Sequence, residues 1–166
     1  MSPYLAFYKG QGGWIDAAIR VATRSPYSHV ELVRRHWVRV PGGVARFGGW
    51  SSSWRDGGVR AKMIEVTPGH WDFVEVPWAD QAEAVCFIKP LLGARYDLAG
   101  ILGSQILGLR RQHRGRWFCS ELVAAALGLS QPEALSPGGL FDRVIDLNRI
   151  YEMGRNTVGG VRMPKT

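Results

Sequence analysis

Tyr27-Ser28-His29-Val30-Glu31-Leu32-Val33-Arg34 is the stretch on which the fold turns. In an extended chain Val30 and Leu32 lie on one face and His29 and Glu31 on the other. Such an apolar and polar alternation belongs to a strand of an antiparallel sheet packed on one side. Towards the N-terminus, Ser25-Pro26 closes a helix predicted over Trp14–Thr23, because a residue before proline is pushed out of the α region. In that helix Trp14, Ala17, Ala18 and Val21 recur at helical spacing beside Ile15 and Ile19, and Asp16 suits the N-terminal end. Residues 3–9 read as a short strand, broken by Gly10-Gln11-Gly12-Gly13.

Towards the C-terminus, strands are predicted around Val38, Val44–Ser52, Val59–Val66 and Trp71–Val76, separated by Pro41-Gly42-Gly43, Asp56-Gly57-Gly58 and Pro68-Gly69. From Ala79 the pattern turns helical, with Ala82, Val85, Cys86 and Leu92 on one face and Lys89-Pro90 as its kink or end. Asp97 is an N-cap for a helix over Leu98–Leu109. A basic loop, Arg110–Arg116, leads into a helix that begins near Cys119 and stops at Gly128. Helix, strands and then helices argue for an α+β fold, with an antiparallel sheet or small barrel packed against helices, rather than a doubly wound one.

A chain of 166 residues with 46% hydrophobic composition is one domain able to bury a core, so 1–166 is read as a single unit with 154–166 as a loose tail. Its apolar stretches are too short and too interrupted by glycine to cross a bilayer. The first ten residues lack the pattern of a secretory signal, which implies a cytoplasmic product or one exported by another route. A formal charge of +7 favours anionic partners such as nucleic acid, acidic lipid or a cell-wall polymer without choosing among them. Two cysteines, Cys86 and Cys119, are too few for a disulfide framework or a cysteine-based zinc site. His36, His70 and His113 have no metal-ligand spacing, so no metal and no other cofactor are expected.

Cys119 begins a strongly helical run, Phe118-Cys119-Ser120-Glu121-Leu122-Val123-Ala124. Unpaired N–H groups and the dipole at a helix start favour a thiolate, and the same N–H groups can hold a developing oxyanion. His29, anchored on a strand, has the placement of a general base. Each segment alone also has a plainer reading: a free cysteine is commonly a small buried side chain, and a strand histidine is commonly just packed or hydrogen-bonded. Cys86, among Ala84, Val85, Phe87 and Ile88, reads as an inert core thiol.

Taken together, a histidine on an early strand after a short helix, then a sheet, then Tyr96-Asp97, then Phe118-Cys119-Ser120-Glu121 and a later Ser136-Pro137 resemble the permuted NlpC/P60 family of papain-like enzymes. The likeness spans residues 3–142. It implies a permuted papain-like fold and a cysteine peptidase or amidase acting on a peptide, an isopeptide or peptidoglycan, with Cys119 as nucleophile and His29 as base. The family's third polar residue usually comes from the strand beside the histidine strand. Here that stretch is Trp50-Ser51-Ser52-Ser53, which makes Ser52 the candidate, with Glu31 as runner-up on the histidine's own face. Tyr96, Ser28 and Trp50 are the candidates for oxyanion or substrate contacts. The implied partner is an amide or acyl substrate, anionic if the charge is a guide, with nucleic acid ranked below it. Two alternatives stand beside this: a thioesterase or acyltransferase on lipids, similar to lecithin retinol acyltransferase, or a non-catalytic basic phage structural or binding protein.

Overall fold

The computed structural model describes residues 1–39, 45–96 and 116–159, with side chains for all of these except 34–39 and 157–159. Seven strands form one sheet: β1 (Tyr4–Tyr8), β2 (His29–Arg39), β3 (Ala45–Ser53), β4 (Gly58–Glu65), β5 (Trp71–Glu75), β6 (Arg95–Tyr96) and β7 (Arg116–Trp117), in the order β5-β1-β2-β3-β4-β6-β7. The sheet is curled into a half-barrel. Four helices are described: α1 (Trp14–Thr23), α2 (Gln81–Ile88), α3 (Cys119–Ala126) and α4 (Pro137–Gly159). The fold is α+β as the element order implies, but the sheet is mixed rather than wholly antiparallel, because β6 and β7 run parallel. A parallel pair needs a connection of a dozen or more residues, and positions 97–115 supply that length.

Alternation along the strands divides the interior. Leu5 and Phe7 of β1, Val30 and Leu32 of β2 and Val59 of β4 enter the main core with Ala84 and Ile88 of α2, Leu122 and Val123 of α3, and Leu140 and Val144 of α4. Each fully buried aliphatic or aromatic side chain contributes about 1.5–3 kcal/mol. The opposite, concave face carries a smaller cluster of Ala6, Val33 and Phe47 with Trp71 and Phe73. His29 and Glu31 share that concave face, since Glu31 pairs with Ala6 and His29 with Tyr8.

Several helix faces differ from those read off the sequence. In α1 the buried residues are Ile15, Asp16 and Ile19, while Trp14 and Val21 point outward. The stripe that packs is the one holding Asp16, whose carboxylate bonds Ser28 and Arg55. In α2 the buried pair is Ala84 and Ile88, which leaves Cys86 exposed rather than in the core. Asp80 caps this helix by accepting from the N–H groups of Ala82 (2.8 Å) and Glu83 (3.2 Å). Ser136 accepts from the Gly139 N–H at 3.1 Å and Pro137 opens α4, the pairing of an N-cap serine with a first-turn proline. α4 continues to Gly159, so residues 154–159 are helical. The expected Asp97 cap, the helix over Leu98–Leu109, the loop residues up to Gly115, and Pro41-Gly42-Gly43 lie outside the described residues.

The Asp56-Gly57-Gly58 turn brings β6 onto β4. Val59 donates to Ala94 O at 2.8 Å and Tyr96 donates to Gly57 O at 3.2 Å. A Cβ on Gly58 would lie 1.9 Å from Ala94 O, whereas one on Gly57 would meet nothing within 4 Å, although Gly57 has φ +80°. We expect Gly57→Ala to cost about 1–2 kcal/mol, the strain of a left-handed residue. Gly58→Ala should cost about 3 kcal/mol or more, since backbone must part from backbone. Urea unfolding of the two variants checks this order; equal losses would show that β6 docks without the close approach.

Candidate active site

His29 opens β2, and Glu31 follows two residues along on the same face. His29 Nε2 is 2.7 Å from Glu31 Oε1. Glu31 is fully buried and is gripped by Arg60 of β4, whose two terminal guanidinium nitrogens donate to Oε2 at 2.6 Å and Oε1 at 2.5 Å. Between them runs β3, where a Cβ on Gly49 would come within 2.7 Å of Glu31 Oε2. Glycine at this position leaves the carboxylate its room. Arg60 Nε also donates to Asp56 at 2.9 Å, and Lys62 Nζ reaches both Asp56 oxygens at 2.7 and 2.8 Å.

Cys119 is the first residue of α3 and is completely buried. The backbone ahead of it is tied down from two sides. Ser52 Oγ donates to Trp117 O at 2.7 Å, and the Glu121 carboxylate accepts from the Phe118 N–H at 3.3 Å. Behind it, Ser120 Oγ donates to Leu135 O at 2.5 Å. The thiol side chain lies close enough to the His29 imidazole to act on its protonation.

Burial by itself would lower the His29 pKa, but the charges of Cys119 and Glu31 and the hydrogen bonds to both outweigh it and push the value up to about 10. Burial would likewise raise that of Glu31. The hydrogen bonds from Arg60, the imidazolium charge and the guanidinium charge prevail and hold the carboxyl below its usual range.

A cavity of about 410 Å³ opens on the concave face, with His29, Glu31, Arg60, Tyr8, Trp54 and Tyr96 in its wall. Ser28 also lines it, buried, with its hydroxyl donating to Asp16 Oδ1 at 3.0 Å. Of the residues singled out in the sequence, Cys119, His29 and Glu31 are therefore brought together, and Tyr96 and Ser28 stand on the same cavity. Ser52 is not at the imidazole. It alternates with Ser51 and Ser53 onto the other face, where its hydroxyl is committed to Trp117 O. Trp50 packs against the main core, opposite Leu32, so it lines no groove beside His29; Trp54 takes that place. Arg60 and Gly49 escape a reading of local sequence, since only the register across β2, β3 and β4 reveals that they meet Glu31. Among the described residues no three His, Cys, Asp or Glu side chains gather as a metal-binding group, and no helix there is long and apolar enough to cross a membrane. Comparison with protein-family models and with curated proteins finds no match to this chain.

The raised His29 value has a consequence for stability. A group whose folded pKa, here about 10, exceeds its ordinary 6.5 contributes stability that is full below pH 6.5 and is lost as pH rises through 10. We expect the melting temperature of the native chain to exceed that of His29→Gln most at about pH 6, and the gap to close towards about pH 10. A gap that stays constant across this range would mean that the imidazole is not held as a cation.

Proposed function

We propose that this chain is a cysteine hydrolase that cleaves an amide, with Cys119 as nucleophile, His29 as general base and acid, and Glu31 as the group that orients the imidazole. The observation that carries this reading is the nearness of a helix-initial thiol to a strand histidine remote in sequence, whose Nε2 is 2.7 Å from a buried carboxylate. The proposed fold family is that of permuted NlpC/P60 enzymes, supported by the chain order of short helix, histidine strand, sheet and cysteine helix.

In the proposed reaction the thiolate attacks the acyl carbon, and the oxyanion develops towards the N–H groups of the first turn of α3, with Tyr96 on the adjoining wall. The carbon–nitrogen bond breaks as the His29 imidazolium gives its proton to the leaving amine. Neutral His29 then takes a proton from water, which attacks the thioester and frees the acid and the thiolate. Glu31 stays ionised throughout and stabilises the cationic ring. The cavity wall favours a polar amide, such as a peptide or peptidoglycan stem, over a fatty acyl chain, because Arg55, Asp56, Arg60, Lys62 and Glu65 line it where an acyl mouth would be continuous and apolar. A second reading, a binding or phage structural protein that keeps the fold without turnover, is favoured by the complete burial of Cys119.

Labelling with iodoacetamide separates the two. On a Cys86→Ser background, which removes the exposed thiol, Cys119 should react at mildly acidic pH, and His29→Ala should slow this by about tenfold or more. Cell-wall fragments and peptides incubated with the same protein, but not with Cys119→Ala, should show hydrolysed amides by mass spectrometry. A native thiol that stays unlabelled at every pH, or labels without regard to His29, would leave the non-catalytic reading standing.

A further inference from the structure

Resting on the Cys119–His29 reading, we propose that Arg60 is a positioning residue for the nucleophile, acting through Glu31 by fixing that carboxylate as a permanent hydrogen-bond acceptor for the His29 imidazolium. Arg60 occupies both oxygens of Glu31, at 2.6 and 2.5 Å, in the two-pronged geometry that sets orientation as well as charge. It is itself aimed by Asp56, on its Nε at 2.9 Å, and Asp56 is held in turn by Lys62. The guanidinium is therefore constrained at three of its nitrogens, and the aim of the carboxylate does not depend on the histidine.

The charged groups that meet Glu31 come from two elements: His29 on its own strand and Arg60 on β4. The neighbouring positions on β1 and β3, Ala6 and Gly49, carry no charge. Asp16 and Arg55 stand on the same cavity but are spent on each other at 2.7 Å. Without Arg60 a carboxyl buried this deeply takes up a proton, and a neutral carboxyl no longer favours the cationic ring. The ring then no longer favours the thiolate. Gly49 enters the same argument from the other side, since a methyl group there would push Glu31 Oε2 away without removing any charge.

The test is the iodoacetamide rate of Cys119 from about pH 5 to about pH 9, on the Cys86→Ser background, for Arg60→Met, Arg60→Lys, Gly49→Ala, Glu31→Gln and the Arg60→Met/Glu31→Gln double variant. Arg60→Met, Gly49→Ala and Glu31→Gln should each move the acid limb of the profile upward by about one pH unit, which is about tenfold slower labelling at its foot. Arg60→Lys should recover part of this. In the double variant Arg60→Met should add nothing to Glu31→Gln, because its effect passes through the carboxylate. Thermal melting checks that each variant is folded; if Arg60→Met is not, Arg60→Lys and Gly49→Ala carry the test. An unchanged profile in folded Arg60→Met, a shift to lower pH, or a shift that adds fully to that of Glu31→Gln would each overturn the proposal and leave Arg60 a clamp on the sheet. Failure of the underlying reading is visible separately, as labelling of the native chain that ignores His29→Ala.

Discussion

A carboxylate buried inside a sheet must have its charge answered on the spot, and Glu31 is such a group. An ion taken out of water loses several kcal/mol of hydration, and removing the partner of a buried pair costs about 3–5 kcal/mol because the survivor is left uncompensated. Glu31 sits on β2 and Arg60 on β4, with β3 between them. Two strand spacings amount to about 10 Å, so both side chains must reach across the intervening strand. They pass beside Gly49, where any side chain would stand in the way. The Gly48-Gly49 pair in the middle of β3 would ordinarily weaken a strand. Here Gly49 makes the passage, and the ion pair in turn ties three strands together on their concave side.

The candidate site is assembled from one local and one remote part. Histidine and carboxylate come from a single strand, so their spacing is set by two residues of extended backbone. The thiol comes from the first turn of α3, and its place depends on how that helix sits on β2 and β3. Ser52 contributes to that placement by reaching from β3 to the carbonyl of Trp117. Its role in the geometry is thus to fix the backbone that presents Cys119, on the opposite face of the sheet from Glu31.

Much of this arrangement is legible in the sequence wherever a local period governs it. The alternation from His29 to Val33, the extent of α1 and the start of the Cys119 helix follow from spacing and from proline and glycine punctuation. What is not legible depends on pairing. The choice between Ser52 and Glu31 turns on which face of β3 meets His29, and no property of Trp50-Ser51-Ser52-Ser53 fixes that register. His29 and Glu31, alternate residues of one strand, meet at their tips, with Arg60 holding the carboxylate from behind. The outward turn of Cys86 and Trp14 has a different origin. In both helices two apolar stripes compete, and spacing alone does not say which of them packs on the sheet.

Placing His29 and Glu31 on one strand, two residues apart, also divides the molecule's degrees of freedom. Any bending or sliding of the sheet carries imidazole and carboxylate together, so their relation survives motions that would scatter groups drawn from separate strands. The distance left to vary is that between the strand and the helix bearing the sulfur. A single coordinate, the seating of α3 against the open end of β2, therefore governs whether the three groups are joined, and the short contacts from Ser52 and Ser120 act as its stops.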